Sequence, residues 1–74
     1  SIYPNPASDF VTIDLLNSNG LNTIVLTDTK GAIILTEQTS ESTIKLALQD
    51  LNNGLYFLTI QSNGKYVTSK IIKQ

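Results

Sequence analysis

The fold is decided by one stretch of the chain, Leu51-Asn52-Asn53-Gly54-Leu55-Tyr56-Phe57-Leu58-Thr59-Ile60, which is followed by Asn63-Gly64 and then by Lys65 to Lys73. An Asn-Gly pair supplies the positive φ angles that a two-residue type I′ turn requires. Both flanks of this pair are rich in β-branched and aromatic residues, as in strands. The stretch therefore predicts a β-hairpin whose second strand, with lysines interleaved among isoleucines, is an ordered part of the fold.

A two-residue turn also fixes the register of the hairpin, because Ser62 then faces Lys65 and the pairing runs back from there. One face is predicted to point to the core, and it carries the pairs Ile60–Val67, Leu58–Ser69 and Tyr56–Ile71. The opposite face is predicted to point outward, and it carries Gln61–Tyr66, Thr59–Thr68, Phe57–Lys70 and Leu55–Ile72. An outward face with so many apolar side chains favours either further cover or an interaction surface.

Working outward from the hairpin, short strand patterns recur along the rest of the chain and alternate with turn residues. The strands are predicted at Phe10–Leu16, Leu21–Thr27, Ala32–Thr39 and Ser42–Leu48, with turns at Asn17–Gly20, Asp28–Gly31 and Asp50–Gly54. Helical spacing is not sustained anywhere. The sequence therefore predicts an all-β fold, a sandwich or a small barrel.

The first nine residues have a different character, because Tyr3-Pro4-Asn5-Pro6 contains two prolines that fix φ and stiffen the backbone. We expect residues 1–9 to form an extended linker and residues 10–74 to form a single β domain. The chain begins at Ser1 without methionine, which suggests a piece from the C-terminal end of a larger protein. It contains neither a recognisable signal peptide nor an apolar run of about 18 residues that could span a membrane.

Composition argues against catalysis and against bound cofactors. The 74 residues include no cysteine, histidine, methionine or tryptophan, and all five basic residues are lysines. The usual general base, thiol nucleophile and soft or imidazole metal ligands are therefore missing, and we predict no catalytic, metal or cofactor site. Ser69 and Lys70 cannot act as a dyad, because neighbours on a strand point to opposite faces. Asp28–Gly31 has too few oxygen ligands for calcium and is predicted to be a plain turn.

The charge distribution and the aromatic rings bear on two possible binding functions, nucleic-acid binding and carbohydrate binding. Residues 65–74 carry three lysines and no acid, on a chain of net charge −1. So few lysines give little affinity for phosphates, and we expect no nucleic-acid partner. Lysines along an edge strand also protect it from aggregation, which is a structural explanation for the three lysines of residues 65–74. A carbohydrate module remains an alternative, because Phe57 and Tyr66 share the outward face, although two rings without tryptophan make a small platform.

Three motifs in this order resemble a known family. Tyr3-Pro4-Asn5-Pro6-Ala7 resembles the opening motif of the type A C-terminal sorting domains of the type IX (Por) secretion system. Leu51-x-x-Gly54-x-Tyr56 looks like their central motif, and Gly64 with Lys70-Ile71-Ile72-Lys73 looks like their closing motif. The resemblance spans Ser1 to Gln74, although the middle strands contribute nothing to it.

This resemblance implies an immunoglobulin-like antiparallel β-sandwich of six or seven strands that serves as an address label. In the family, an N-terminal cargo domain reaches the periplasm of Bacteroidetes-type bacteria, and the outer-membrane translocon then recognises the sorting domain. A sortase-like peptidase usually removes the domain near its N-terminal boundary. The implied destination is the cell surface or the medium.

Carried over residue by residue, the resemblance gives Pro4, Asn5 and Pro6 the task of shaping the start of the domain. Gly54, Tyr56 and Gly64 are motif positions with structural roles. Gly54 is expected to adopt a backbone angle closed to other residues, and Tyr56 to bury its ring while its hydroxyl finds a backbone partner. The residues expected to contact the translocon, by strand addition or in an apolar groove, are Lys70, Ile71, Ile72 and Lys73.

Two alternatives remain open at this point. The first is an immunoglobulin-like accessory module for adhesion or carbohydrate binding in a surface enzyme. The second concerns the outward residues Leu55, Phe57, Tyr66 and Ile72, which could pair two copies in a weak homodimer or contact the cargo domain.

Overall fold

The computed structural model describes residues 2–4, 6–15 and 20–74. Seven β-strands lie within these ranges. They are β1 (Ile2–Tyr3), β2 (Phe10–Asp14), β3 (Asn22–Thr27), β4 (Ile33–Thr39), β5 (Thr43–Ala47), β6 (Gly54–Ser62) and β7 (Lys65–Lys73). A three-stranded sheet has the order β1-β2-β5, and a four-stranded sheet has the order β4-β3-β6-β7. All strand pairs are antiparallel, so the predicted antiparallel sandwich of six or seven strands is confirmed. Within the described ranges, no helix is long and apolar enough to cross a membrane.

The core lies between the two sheets and is built from alternate residues of their strands. The smaller sheet contributes Val11, Ile13 and Leu46, and the larger one contributes Leu26 and Leu58, all at most 2% exposed. Complete burial of one such side chain stabilises the fold by roughly 1.5–3 kcal/mol. Burial of these side chains explains how a chain without cysteine obtains a core.

The hairpin formed by β6 and β7 is paired as the turn predicted, from Ser62–Lys65 at the tip to Leu55–Ile72 near its base, and it continues to Gly54–Lys73. Asn63 and Gly64 have φ angles of 52° and 78°, which are the two positive values of a type I′ turn. This geometry matches the right-handed twist of the strands and accounts for the unbroken nine-residue pairing.

The inward face of this hairpin is covered along only part of its length. Tyr56, Leu58 and Ile71 are buried as predicted, and Ile60 is partly buried. Val67, which pairs with Ile60, is 61% exposed, so the prediction that it lies in the core is wrong. Strand parity assigns a residue to a face, but burial also needs a second sheet above that face. The core ends before it reaches the tip.

The opening residues belong to the sandwich more closely than the predicted linker suggests. Ile2 and Tyr3 form β1, opposite Ile13 and Thr12 of β2. Further along, Ala7 makes an isolated parallel bridge to Lys73 at the end of β7. The segment thus pairs with both sheets in succession. The predicted role of Asn5 and the predicted turn and strand end at residues 16–19 lie outside the described residues.

Candidate recognition surface

The four residues predicted to contact a translocon alternate between the two faces of β7. Lys70 is exposed and Ile72 is 42% exposed, whereas Ile71 is fully buried and Lys73 is 9% exposed. A strand places successive side chains on opposite faces, so the four cannot form one surface. The structure therefore brings Lys70 and Ile72 to the outside, while Ile71 lies in the core.

Lys70 and Ile72 lie beside two apolar residues of β6. Lys70 pairs with Phe57 and Ile72 pairs with Leu55, and both β6 side chains are half-buried. These four residues, Leu55, Phe57, Lys70 and Ile72, are called the outer patch below. It combines apolar area with one positive charge, so it suits a partner surface that is apolar and carries a carboxylate.

Sequence reasoning missed a fourth apolar side chain, which lies in the row of Phe57 and Lys70. Ile33 of β4 lies opposite Thr27, which in turn lies opposite Phe57, and Ile33 is 66% exposed. The pairing of β3 and β4 shifts between Leu26 and Thr27. Because such an irregularity breaks the period of two, the face on which Ile33 lies could not be predicted from the sequence.

Lys73 is mostly buried and reaches a loop rather than solvent. Its Nζ lies 3.4 Å from Asn53 Oδ1 and 3.4 Å from the carbonyl oxygen of Gln74. These contacts are long for hydrogen bonds, yet they give the ammonium two polar neighbours where the residue is covered. The position of Lys73 therefore favours a role in holding the end of β7 against the loop before β6.

The two central motif residues have the structural features predicted for them. Tyr56 is 8% exposed, and its hydroxyl donates a 2.7 Å hydrogen bond to the carbonyl oxygen of Asn52. A tyrosine near the start of a strand that bonds to the upstream backbone is a recurrent corner of immunoglobulin-like sandwiches. Gly54 has a φ of 151°, and an added Cβ would meet no atom within 4 Å. The backbone angle, rather than lack of space, thus favours glycine there.

The opening motif meets the closing motif through the backbone of Ala7. Its N–H donates a 2.8 Å hydrogen bond to the carbonyl oxygen of Ile72, and its carbonyl accepts one of 2.7 Å from the N–H of Gln74. The Ala7 side chain is 1% exposed, whereas Pro4 and Pro6 are exposed. Gly64 is far from this contact, because β7 carries the chain on the order of 30 Å from the turn to its end.

The two rings considered for carbohydrate binding do not form one platform. Phe57 and Tyr66 share the outer face, but Tyr66 pairs with Gln61, four positions along β6 from Phe57. That separation corresponds to about 13 Å along the strand. Among the described residues, no group of three or more histidine, cysteine, aspartate or glutamate residues could hold a metal ion.

Comparison with known proteins adds a family to this geometry. The family model described as "Secretion system C-terminal sorting domain" matches residues 1–74. Among curated proteins, the chain is 28% identical over 85 residues to Karilysin from Tannerella forsythia. The match covers 100% of this chain and 18% of that protein, so the chain spans less than a fifth of the length of this relative.

Proposed function

The chain belongs to the secretion-system C-terminal sorting domains, and from this premise we propose that it is a non-catalytic address label read through the outer patch by the type IX translocon. A domain of this family is a sorting signal on a larger cargo protein and directs that protein to the cell surface or the extracellular space. The proposal adds the surface that is read and the partner that reads it.

One observation carries the proposal. The end of β7 is ordered by its pairing with β6, and it presents Lys70 and Ile72 outward beside Phe57 and Leu55. A fixed surface binds a partner at lower entropic cost than a mobile tail, because its side chains are already positioned. Ile71 and Lys73 contribute indirectly by anchoring the strand that carries the other two.

Removal of the domain by a sortase-like peptidase is the second part of the proposal. A peptidase needs access to the backbone that it cleaves, and Pro4 and Pro6 near the start of the domain are both exposed. We place the cleavage near the N-terminal boundary of the domain. The cargo is then left at the surface or released.

The test is export of a reporter protein. Residues 1–74 are fused behind a periplasmic reporter in a host with a functional type IX system, together with the single variants Lys70→Glu and Lys65→Glu. The parent fusion is expected at the cell surface. Lys70→Glu should retain the reporter in the periplasm, because it reverses the charge of the outer patch, while Lys65→Glu, at the far end of the same strand, should be exported.

Surface labelling and protease accessibility of the reporter provide the measurement. Both substitutions are at exposed positions, so the unfolding free energy of the isolated chain should stay within about 0.5 kcal/mol of the parent. Periplasmic retention of the folded parent fusion would contradict the function. Normal export of Lys70→Glu would contradict the assignment of the outer patch.

A further inference from the structure

The outer edge of β7 is bordered by another strand at one point only within the described ranges. β7 is the last strand in the order of its sheet, and Ala7 bridges it at Lys73. Because Ala7 bonds to Ile72 and Gln74, the even-numbered residues of β7 direct their backbone groups toward this edge. By the same alternation, Tyr66 and Thr68 present their N–H and C=O groups along the other half of the edge, where the described residues place no strand.

Ala7 itself demonstrates that this edge accepts an extended backbone. It is held there by two backbone hydrogen bonds and by burial of one methyl group. Each such bond changes an equilibrium by roughly five-fold. A longer strand along the same edge could bond at Tyr66 and Thr68 as well, and it would occupy the space in which Ala7 now lies.

We propose that an extended segment of a partner protein adds to the outer edge of β7 and displaces Ala7, so that docking at the closing motif releases the opening motif. The partner in question is the recognition component of the proposed function, on which this inference rests. The segment should carry an acidic side chain where it faces Lys70, which is exposed on β7, because opposite charges on adjacent strands attract.

Such an exchange would couple recognition to cleavage. While Ala7 is bonded to β7, the surrounding backbone cannot enter the extended cleft of a peptidase. After displacement, the backbone on either side of Ala7, at Pro6 and Ser8, is free to do so. The domain would therefore be protected until it is docked, and cargo would not be separated from its label before the translocon has been reached.

The first test uses the purified chain and a matched pair of variants at its last residue. Gln74→Pro lacks the N–H that bonds to Ala7, whereas Gln74→Ala retains it. Pancreatic elastase, which cuts after small residues, reports release of Ala7 through cleavage of the Ala7–Ser8 bond. We expect this cleavage to be roughly five-fold faster in Gln74→Pro than in Gln74→Ala, with amide exchange at Leu58 equal in both. Equal cleavage rates would show that the hydrogen bond between Gln74 and Ala7 does not protect the Ala7–Ser8 bond, and they would overturn the proposal.

The second test adds a strand in trans. The probe is a blocked octapeptide of alternating valine and glutamate. It should bind the parent chain and should accelerate elastase cleavage after Ala7 in that chain. Absence of binding, or binding that leaves this cleavage unchanged, would overturn the displacement. Neither test involves export, so failure here would leave the sorting function itself untouched.

Discussion

Two lysines of one strand lie in different environments, which illustrates what single residues reveal about this domain. Lys70 is exposed in the outer patch, while Lys73 shares a face with Ile71 and is mostly buried. The predicted pairing ended at Leu55–Ile72, one step before Gly54–Lys73, so the covered position of Lys73 was not foreseen. Tyr56 was predicted correctly, because a ring of its size in the inward set has a hydroxyl that must find a partner.

At this scale we predict that Tyr56→Phe lowers the unfolding free energy by about 1 kcal/mol, since it removes the hydrogen bond to the carbonyl of Asn52 and keeps the ring. For a domain of this size the melting temperature should fall by about 4–8 °C. Thermal unfolding followed by circular dichroism provides the measurement. Tyr66→Phe is the control, because Tyr66 is 67% exposed and should lose little. A Tyr56→Phe variant as stable as the parent would show that the hydrogen bond from Tyr56 to Asn52 does not stabilise the domain.

Among the elements, the β6–β7 hairpin was predictable from its sequence, whereas β1 was not. Asn63-Gly64 defines the turn chemically, and one turn then sets every pair of the ladder. β1 consists of Ile2 and Tyr3 directly before a proline, which is too short for any periodicity to appear. The bridge at Ala7 was unpredictable for a related reason, because it joins residues that are distant in sequence and involves backbone atoms, which every residue type possesses.

Substitutions at Gly64, in the turn between β6 and β7, distinguish backbone strain from steric crowding. Gly64→Ala should destabilise the chain by about 1–2 kcal/mol, because an L-residue with a Cβ is disfavoured at a φ of 78°. Gly64→Asn should cost less, since asparagine tolerates positive φ. No atom lies within 4 Å of an added Cβ, so crowding does not explain the difference. Urea unfolding of the three chains measures it, and equal losses in both variants would disprove the role of φ.

For the whole molecule, the all-β class and six of the seven strands followed from the pattern, but the composition of the candidate surface did not. Pairing predicted that Leu55, Phe57, Lys70 and Ile72 share a face, and the structure confirms this placement. Ile33 was missed because a shift between β3 and β4 brings it into the row. The contact between the opening and closing motifs depends on how both sheets pack, which is information that no local stretch contains.

Removing residues 71–74 should unfold most of the domain, which affects how a loss of export would be interpreted. A chain of 74 residues has a stability of about 4–11 kcal/mol. Loss of a fully buried isoleucine alone costs about 2–5 kcal/mol, and the bridge to Ala7 is lost with it. Deleting Gln74 alone should leave a cooperative unfolding transition. Circular dichroism distinguishes the two, and a stable chain without residues 71–74 would refute the structural role of Ile71.

The parallel arrangement of Ala7 and the end of β7 has a mechanical consequence. When the chain is stretched between its two ends, the segments on either side of this contact are drawn in opposite directions along the strand axis. Both hydrogen bonds then bear the load together instead of breaking one after the other. A force that is applied only to the end of β7, perpendicular to the strand, loads the two hydrogen bonds one after the other. The domain should therefore resist a force along the strand, transmitted from an attached cargo protein, better than a force across the strand that a partner bound to β7 exerts.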